Sequence, residues 1–190
     1  MDKLQSFIYE QIKNSILAWS DQILDDIYVI SLYVESIDDD PRRPSVTLGY
    51  NTRQQWDKMT PKASDSNEAK WNYAFWLQNC ELFIGENEKD IEFVNMWIHD
   101  LGLNYSDEDE EEDFDRTYEL GEQITTGFVK ACVNAARQLH IDGIIRAKFN
   151  RDIPVLVHEL EYYDMIAEQN KVANPNEIAD EFIAWIESEG

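Results

Sequence analysis

The chain has 190 residues, 16 of them basic and 39 acidic, which gives a formal net charge of −23. Hydrophobic residues make up 43% and aromatic residues 12%, so the composition excludes an intrinsically disordered chain. The negative charge argues against binding to nucleic acid, which needs a basic surface, and against docking on an anionic membrane. No signal peptide is recognisable, and no stretch approaches the roughly 18 apolar residues of a membrane span.

The first half of the chain predicts a helix followed by two strands. Apolar residues recur every three or four positions over 4–23, which is typical of an amphipathic helix. Residues 27–34 are almost entirely β-branched or aromatic, which predicts a strand buried on both faces and central in its sheet. After a break at 38–44, residues 45–50 alternate in polarity, which predicts a half-exposed strand. The two strands are expected to form an antiparallel hairpin.

The second half predicts further helices around two more strands. Helical spacing covers 88–101 and 120–139. Alternation over 145–149 and an apolar run over 153–160 each predict a strand, and Pro154 limits the second to its start or to a sheet edge. Asn174 and Pro175 form an N-terminal capping pattern, which predicts a last helix.

This order of elements predicts an α+β fold, a small and mainly antiparallel sheet with helices packed on it. Long amphipathic helices are expected at both termini. We expect one globular domain over residues 1–190, with an acidic surface loop at about 104–116.

No motif predicts catalysis, a metal site or a cofactor. The three histidines, His99, His140 and His158, lie in separate predicted elements without ligand spacing, and the glycines do not form a phosphate loop. Cys80 and Cys132 are 52 positions apart, which favours two buried, reduced thiols in a cytoplasmic protein over a disulfide.

The most distinctive segment is the acidic run over 107–115. It is not a calcium-binding EF-hand loop, because Glu112 stands where the turn needs glycine and Tyr118 where a bidentate glutamate belongs. The run is either a solvated surface or a surface that attracts a cationic partner. Arg42 and Arg43 are unusual in so acidic a chain, and they either pair with Asp38–Asp40 in their own loop or mark a recognition loop.

These two segments supply the predicted partner-binding residues, and the partner is expected to be a basic protein. They are Asp38, Asp39, Asp40, Arg42, Arg43, Asp107, Glu108, Asp109, Glu110, Glu111, Glu112, Asp113 and Asp115.

Several short segments resemble a bacterial family of uncharacterised proteins, the domain-of-unknown-function family four-three-zero-three. They are the strand 27–34, the segment 46–52, the residues 68–71 with Trp76, and the C-terminal helix–strand–helix part. The resemblance covers most of the chain and implies an α+β cytoplasmic protein without an assigned activity. The acidic run departs from the family pattern. In bulk character the chain is also similar to immunity proteins of toxin–immunity pairs.

The leading hypothesis is therefore a non-enzymatic binding protein, of the type of an immunity protein that neutralises a basic toxin. One alternative is a hydrolase that uses clustered carboxylates, with or without a divalent metal, and that predicts a concave pocket with convergent acidic groups. A second alternative is a mimic of nucleic acid, with carboxylates in rows at phosphate spacing. The sequence leaves the oligomeric state open.

Overall fold

The computed structural model describes residues 2–189, which form ten α-helices around four β-strands. The strands are β1 (Ile27–Ser36), β2 (Pro44–Thr52), β3 (Leu82–Ile84) and β4 (Val155–His158). The helices are α1 (Lys3–Ala18), α2 (Asp21–Leu24), α3 (Arg53–Met59), α4 (Ser66–Trp71), α5 (Glu88–Asp100), α6 (Asp107–Glu112), α7 (Phe114–Ile141), α8 (Ile144–Phe149), α9 (Asp164–Ala173) and α10 (Asp180–Glu189).

The four strands form one mixed sheet in the order β3-β2-β1-β4. Strands β1 and β2 pair antiparallel, as do β2 and β3, whereas β4 lies parallel to β1. The α+β prediction is confirmed, and so is the interior position of β1 between two neighbours. Pro154 precedes β4, which lies at the sheet edge as predicted for a strand that begins at proline.

Helices cover both faces of the sheet. Side chains of β1 such as Ile30 and Leu32 point into the larger core, which α1, α5, α7 and α8 complete. Tyr28 and Val29 face a smaller, aromatic-rich core that includes Trp71 of α4 and side chains of α9 and α10. Burial on both faces explains why 27–34 has so few polar residues. Within the described residues, no helix has the length and apolar character needed to cross a membrane.

Helix α9 covers the open edge of β4 with two side-chain amides. Asn170 Oδ1 accepts from the amide nitrogen of Val157 at 2.9 Å, and Asn170 Nδ2 donates to the Val157 carbonyl at 2.8 Å. Asn174 makes the same pair of bonds with Val155, at 2.8 and 3.0 Å. Four helical residues advance about 6 Å and two strand residues about 6.6 Å, so the two carboxamides match alternate strand residues.

The segment 145–149 is a helix, α8, and the prediction of a strand is wrong. Ile145 and Phe149 are buried four positions apart, whereas Ala147 between them is exposed. That is the burial pattern of one helix face. Gly143, with φ of 70°, separates α8 from the end of α7.

Strand β2 is more buried than its alternation predicted. Ser45 and Asn51 on its second face are fully buried. The segment before β3 lies against the end at Asn51, and Gly85, which follows β3, lies against Ser45. The approach is closest at Gly49, where an added Cβ would lie 2.6 Å from the Asn79 carbonyl oxygen. The half-exposed prediction for this strand is therefore wrong.

The C-terminal region differs from its prediction in two ways. Helix α9 had no counterpart in the predicted elements, and α10 begins at Asp180 instead of near Pro175. Asn174 does not cap the N-terminus of a helix: it is the C-cap residue of α9, and its carboxamide bonds to β4. Asn176 and Glu177, which follow it, have positive φ. Two long terminal helices are not clearly present, because α1 has 16 residues and α10 has 10.

Candidate functional site

The acidic run is helical, which corrects the predicted loop over about 104–116. Helix α6 begins with a capping box in which Asp109 donates its amide N–H to Ser106 Oγ at 3.2 Å, and the Ser106 N–H donates to Asp109 Oδ2 at 2.8 Å. The hydrogen bonds from Ser106 lower the pKa of Asp109 below its usual range. Capping and the favourable position of acidic residues at a helix N-terminus stabilise α6 in spite of the repulsion between its carboxylates.

Helix α7 follows α6 after a single residue. Asp113 caps α7 by accepting a hydrogen bond from the Arg116 amide at 3.2 Å. The acidic run therefore has a defined backbone course from Ser106 into the longest helix of the described chain.

The second predicted segment is a tight loop between β1 and β2. Arg43 forms an ion pair with Asp38, and the Ile37 amide donates to the Arg43 carbonyl at 3.0 Å. Pro41 packs on α7 at Gly121, where an added Cβ would lie 3.0 Å from Pro41 Cγ. A glycine at this position lets the loop lie directly on the helix that follows the acidic run.

Arg42 joins the two segments. Its guanidinium donates to both carboxylate oxygens of Asp40, with two bonds of 2.8 Å, and to Asp107 Oδ1 at 2.7 Å. The same group lies over the Tyr105 ring, 5.1 Å from its centre. These bonds raise the pKa of Arg42; at Asp40 burial opposes ionisation, but the bonds from Arg42 outweigh it and lower the pKa. We name Asp38–Arg43 and Asp107–Asp115 together the acidic corner.

The arginines of the acidic corner are thus occupied within the chain, and most of its carboxylates are not. The corner has eleven carboxylates and two guanidinium groups. Asp38, Asp40, Asp107, Asp109 and Asp113 have the partners described above. Six exposed carboxylates have no hydrogen bond or ion pair with any described residue: Asp39, Glu108, Glu110, Glu111, Glu112 and Asp115. They are the groups available to a partner.

A cleft of about 490 Å³ adjoins the corner and bears on the hydrolase alternative. Glu35, Asp38, Asp39 and Glu86 contribute carboxylates to its lining, together with Arg43. Arg43 is paired with Asp38. Among the described residues no group of three or more His, Cys, Asp or Glu is placed to hold a metal ion. The hydrolase stays a prediction.

Adjacent strands β1 and β4 carry a buried serine–histidine pair that was not predicted from the sequence. Ser31 Oγ lies 2.8 Å from His158 Nε2, and His158 Nδ1 lies 3.0 Å from the Glu159 carbonyl oxygen. Because a carbonyl only accepts, Nδ1 carries the proton and Nε2 accepts from the Ser31 hydroxyl. Ser31 is 3% exposed and His158 is fully buried, so no substrate reaches this pair in the folded chain. Its role is to satisfy two buried polar groups.

Comparisons with models of known protein families, with curated proteins and with solved structures find no match. The resemblance to the uncharacterised bacterial family therefore stays a prediction.

Proposed function

We propose that the chain is a non-enzymatic binding protein whose acidic corner captures a basic protein partner. The main observation behind this proposal is the bridge from Arg42 to Asp40 and Asp107, which joins the loop and α6 into one surface. Both arginines of this surface are paired within the chain, Arg43 with Asp38. Of the six exposed carboxylates without a partner, four lie on α6, Asp115 lies in the first turn of α7 and Asp39 lies in the loop. A partner that approaches this surface meets a fixed arrangement of negative charge, which steers association by a cationic protein.

The cost of forming α6 supports this proposal. Glu108 and Glu112 are four positions apart, and a like-charge pair at this spacing destabilises a helix by about 0.2–0.5 kcal/mol. Glu111 and Glu112 also lie at the C-terminal end, where the helix dipole disfavours negative charge. A cationic partner would relieve both effects on binding, and a solubilising coat does not need carboxylates at these positions.

More specifically, we propose an immunity-type protein of the bacterial cytoplasm that neutralises a basic toxin. Two free cysteines and the absence of a disulfide among the described residues support a reducing compartment. The mimic of nucleic acid remains the third hypothesis, and it differs in expecting a nucleic-acid-binding protein as the partner.

The test compares two double variants that remove the same charge. Glu111→Gln/Glu112→Gln removes two unpaired carboxylates of the corner, and Glu88→Gln/Glu92→Gln removes two exposed carboxylates of α5. Each tagged protein captures partners from source-cell lysate at about 0.15 M salt, where charges beyond about 8 Å are screened. The association rate of the retained partner is then measured over a range of salt concentrations.

We expect one stoichiometric basic protein, with an association rate that the corner variant lowers several-fold and the α5 variant leaves nearly unchanged. The corner variant should also show a shallower salt dependence, because fewer charges contribute to steering. Equal rates for both variants, or a mixture of proteins that salt removes, would contradict the proposal. If the partner is a toxin, co-expression of the chain should suppress its toxicity.

A further inference from the structure

Four exposed apolar side chains lie on α7 and α9, two helices that pack against each other. Phe114 and Tyr118, which are 61% and 58% exposed, follow one another by a turn on α7. Met165 and Val172 of α9 are 63% and 45% exposed. For a chain with net charge −23, such a grouping of exposed apolar residues is unexpected and is typical of an interaction surface.

A groove lies between α7 and α9, and Met165 and Val172 are part of its lining. It has a volume of about 490 Å³, and Val129 and Val133 of α7 and Met165 and Val172 of α9 give it an apolar lining. Val129 and Val133 are one turn apart, and Met165 and Val172 are two turns apart, so each helix contributes one stripe. The result is a channel between two neighbouring helices, the shape that receives a third helix.

The rim of the groove is negative. Glu122, Glu159 and Glu168 contribute carboxylates to its lining, and Lys130 is the only cation among the described lining residues. Glu168 is paired with Lys171 at 2.8 Å, whereas Glu122 and Glu159 have no ion pair with any described residue. Glu159 Oε2 also accepts a 3.1 Å hydrogen bond from the Tyr163 hydroxyl. Burial, followed by the charges of Glu159 and Glu122, raises the pKa of Tyr163 to about 12. A ligand that fills this groove therefore meets an apolar floor and an acidic edge.

We propose that the groove binds an amphipathic basic helix, with an apolar face on the floor and Lys or Arg against the rim. A second copy of the chain is a poor occupant, because it would bring another net charge of −23 against the acidic rim. This inference goes beyond the proposed function: the corner contributes charge, whereas the groove adds an apolar contact that salt does not screen.

The groove is continuous with the acidic corner along α7. Phe114, Tyr118 and Glu122 are spaced four residues apart, so they lie on one face that leads from the corner to the groove. From Phe114 to Val133 this face extends about 28 Å at 1.5 Å per residue. A basic helix in the groove would therefore have one end near the corner, where the negative charge is highest.

The test uses the full chain and a synthetic peptide of leucine and lysine, about 18 residues long, arranged as an amphipathic helix. A scrambled peptide of the same composition is the control for attraction by charge alone. Binding is measured by calorimetry at about 0.3 M salt, where the net charge of the chain is largely screened. Chemical shifts of the Val129 and Met165 methyl groups locate the site.

We expect the amphipathic peptide to bind at least about tenfold more tightly than the scrambled peptide. The variant Met165→Lys/Val172→Lys should weaken binding about tenfold, because it places charge on the apolar stripe of α9. The matched variant Met96→Lys/Leu101→Lys, at the exposed residues of the α5 region, should keep the affinity within about twofold. Equal binding of both peptides, equal loss in both variants, or no binding would overturn the proposal.

The corner variant Glu111→Gln/Glu112→Gln separates this inference from the proposed function. It should leave peptide affinity within about threefold, because the carboxylates at these positions do not line the groove. A larger loss, with methyl shifts absent from the groove, would count against the groove as the binding site. Failure of the corner variant to slow the captured partner contradicts only the proposed function.

Discussion

Arg42 Nη1 donates a 2.7 Å hydrogen bond to Asp107 Oδ1, across 65 positions of the sequence. The same guanidinium binds Asp40 through two further bonds of 2.8 Å. The side chains of Arg42 and Asp40 are 27% and 21% exposed, whereas that of Asp107 is 82% exposed. Water screens the Asp107 contact more strongly than the Asp40 contact. The pair with Asp40 should therefore contribute most of the free energy of unfolding that Arg42 supplies, whereas the pair with Asp107 mainly holds α6 against the loop.

Replacing Arg42 should therefore destabilise the fold mainly through Asp40. Arg42→Ala should lower the free energy of unfolding by about 1–3 kcal/mol, because the partly buried Asp40 carboxylate loses its guanidinium donors and keeps only the 2.9 Å bond from the amide of residue 42. In double-mutant cycles the coupling of Arg42 with Asp107 should be about 0.2–1 kcal/mol, and that with Asp40 should be larger. Urea unfolding of the single and double variants measures both couplings.

Arg43→Ala is the matched control for this cycle. Arg43 and Asp38 are 47% and 78% exposed, so their ion pair should contribute at most about 1 kcal/mol. A cost for Arg43→Ala that equals the cost for Arg42→Ala would show that the bridge has no special role.

The buried His158 predicts a specific loss of stability in acid. Burial lowers the pKa of His158 to about 4, against an ordinary value of 6.5, and the bond to the Glu159 carbonyl only partly offsets this effect. Between these two pH values the unfolded chain binds a proton that the folded chain does not, so stability falls as pH falls. The groups around the ring are neutral: Ser31, Tyr33, Tyr73, Trp76 and Tyr162.

His158→Gln isolates this contribution, because glutamine accepts from Ser31 and does not titrate in this range. The difference in unfolding free energy between the wild type and the variant should change by about 3 kcal/mol from pH 7 to pH 4, with the wild type losing more. Taking the difference between the two proteins at each pH cancels the contribution of the many carboxylates that both share. Parallel pH profiles for the two proteins would contradict the assignment of a neutral buried imidazole.

Sequence patterns predicted the elements whose burial repeats with a clear period. The stripe of α7 was recognisable because it extends over many turns, and β1 because both of its faces are buried. The five positions 145–149 are too few to separate a period of two from a spacing of four. Helix α9 was missed because its buried residue Asn170 and its C-cap residue Asn174 are polar. Their partners on β4 are known only once the strand is placed.

The negative charge of the candidate site could be predicted from the sequence, but the contacts between its two segments could not. The sequence identified both acidic segments, yet nothing in it indicated that Arg42 binds Asp107. The two residues are brought together by tertiary packing, which includes that of Pro41 on α7 at Gly121. One signal for the pair Ser31 and His158 was present. Ser31 is the single polar residue of the run 27–34, and a buried hydroxyl on a central strand needs a partner on a neighbouring strand.

The covered edge of β4 gives a further prediction. Asn170→Ala should lower the free energy of unfolding by about 2–4 kcal/mol, because it removes the acceptor of the buried Val157 amide and a donor to its carbonyl. Val172→Ala, on the exposed face of the same helix, should stay within about 0.5 kcal/mol of wild type. Urea unfolding measures both. Equal destabilisation by the two substitutions would show that α9 covers the edge of β4 without contributing hydrogen bonds to its backbone groups.

The two thiols should differ sharply in reactivity. We predicted both to be buried, but Cys80 is exposed, because the segment before β3 crosses the surface of the sheet. Cys132 is fully buried in α7, and burial raises the pKa of its thiol.

A thiol-specific disulfide reagent should therefore modify one cysteine per native chain and two in denaturant, and Cys132 should react at least about a hundredfold more slowly than Cys80 in the native protein. Cys80→Ser should abolish the fast reaction and Cys132→Ala should leave it unchanged. Rapid modification of two thiols in the native chain would mean that α7 opens far more readily than its buried position implies.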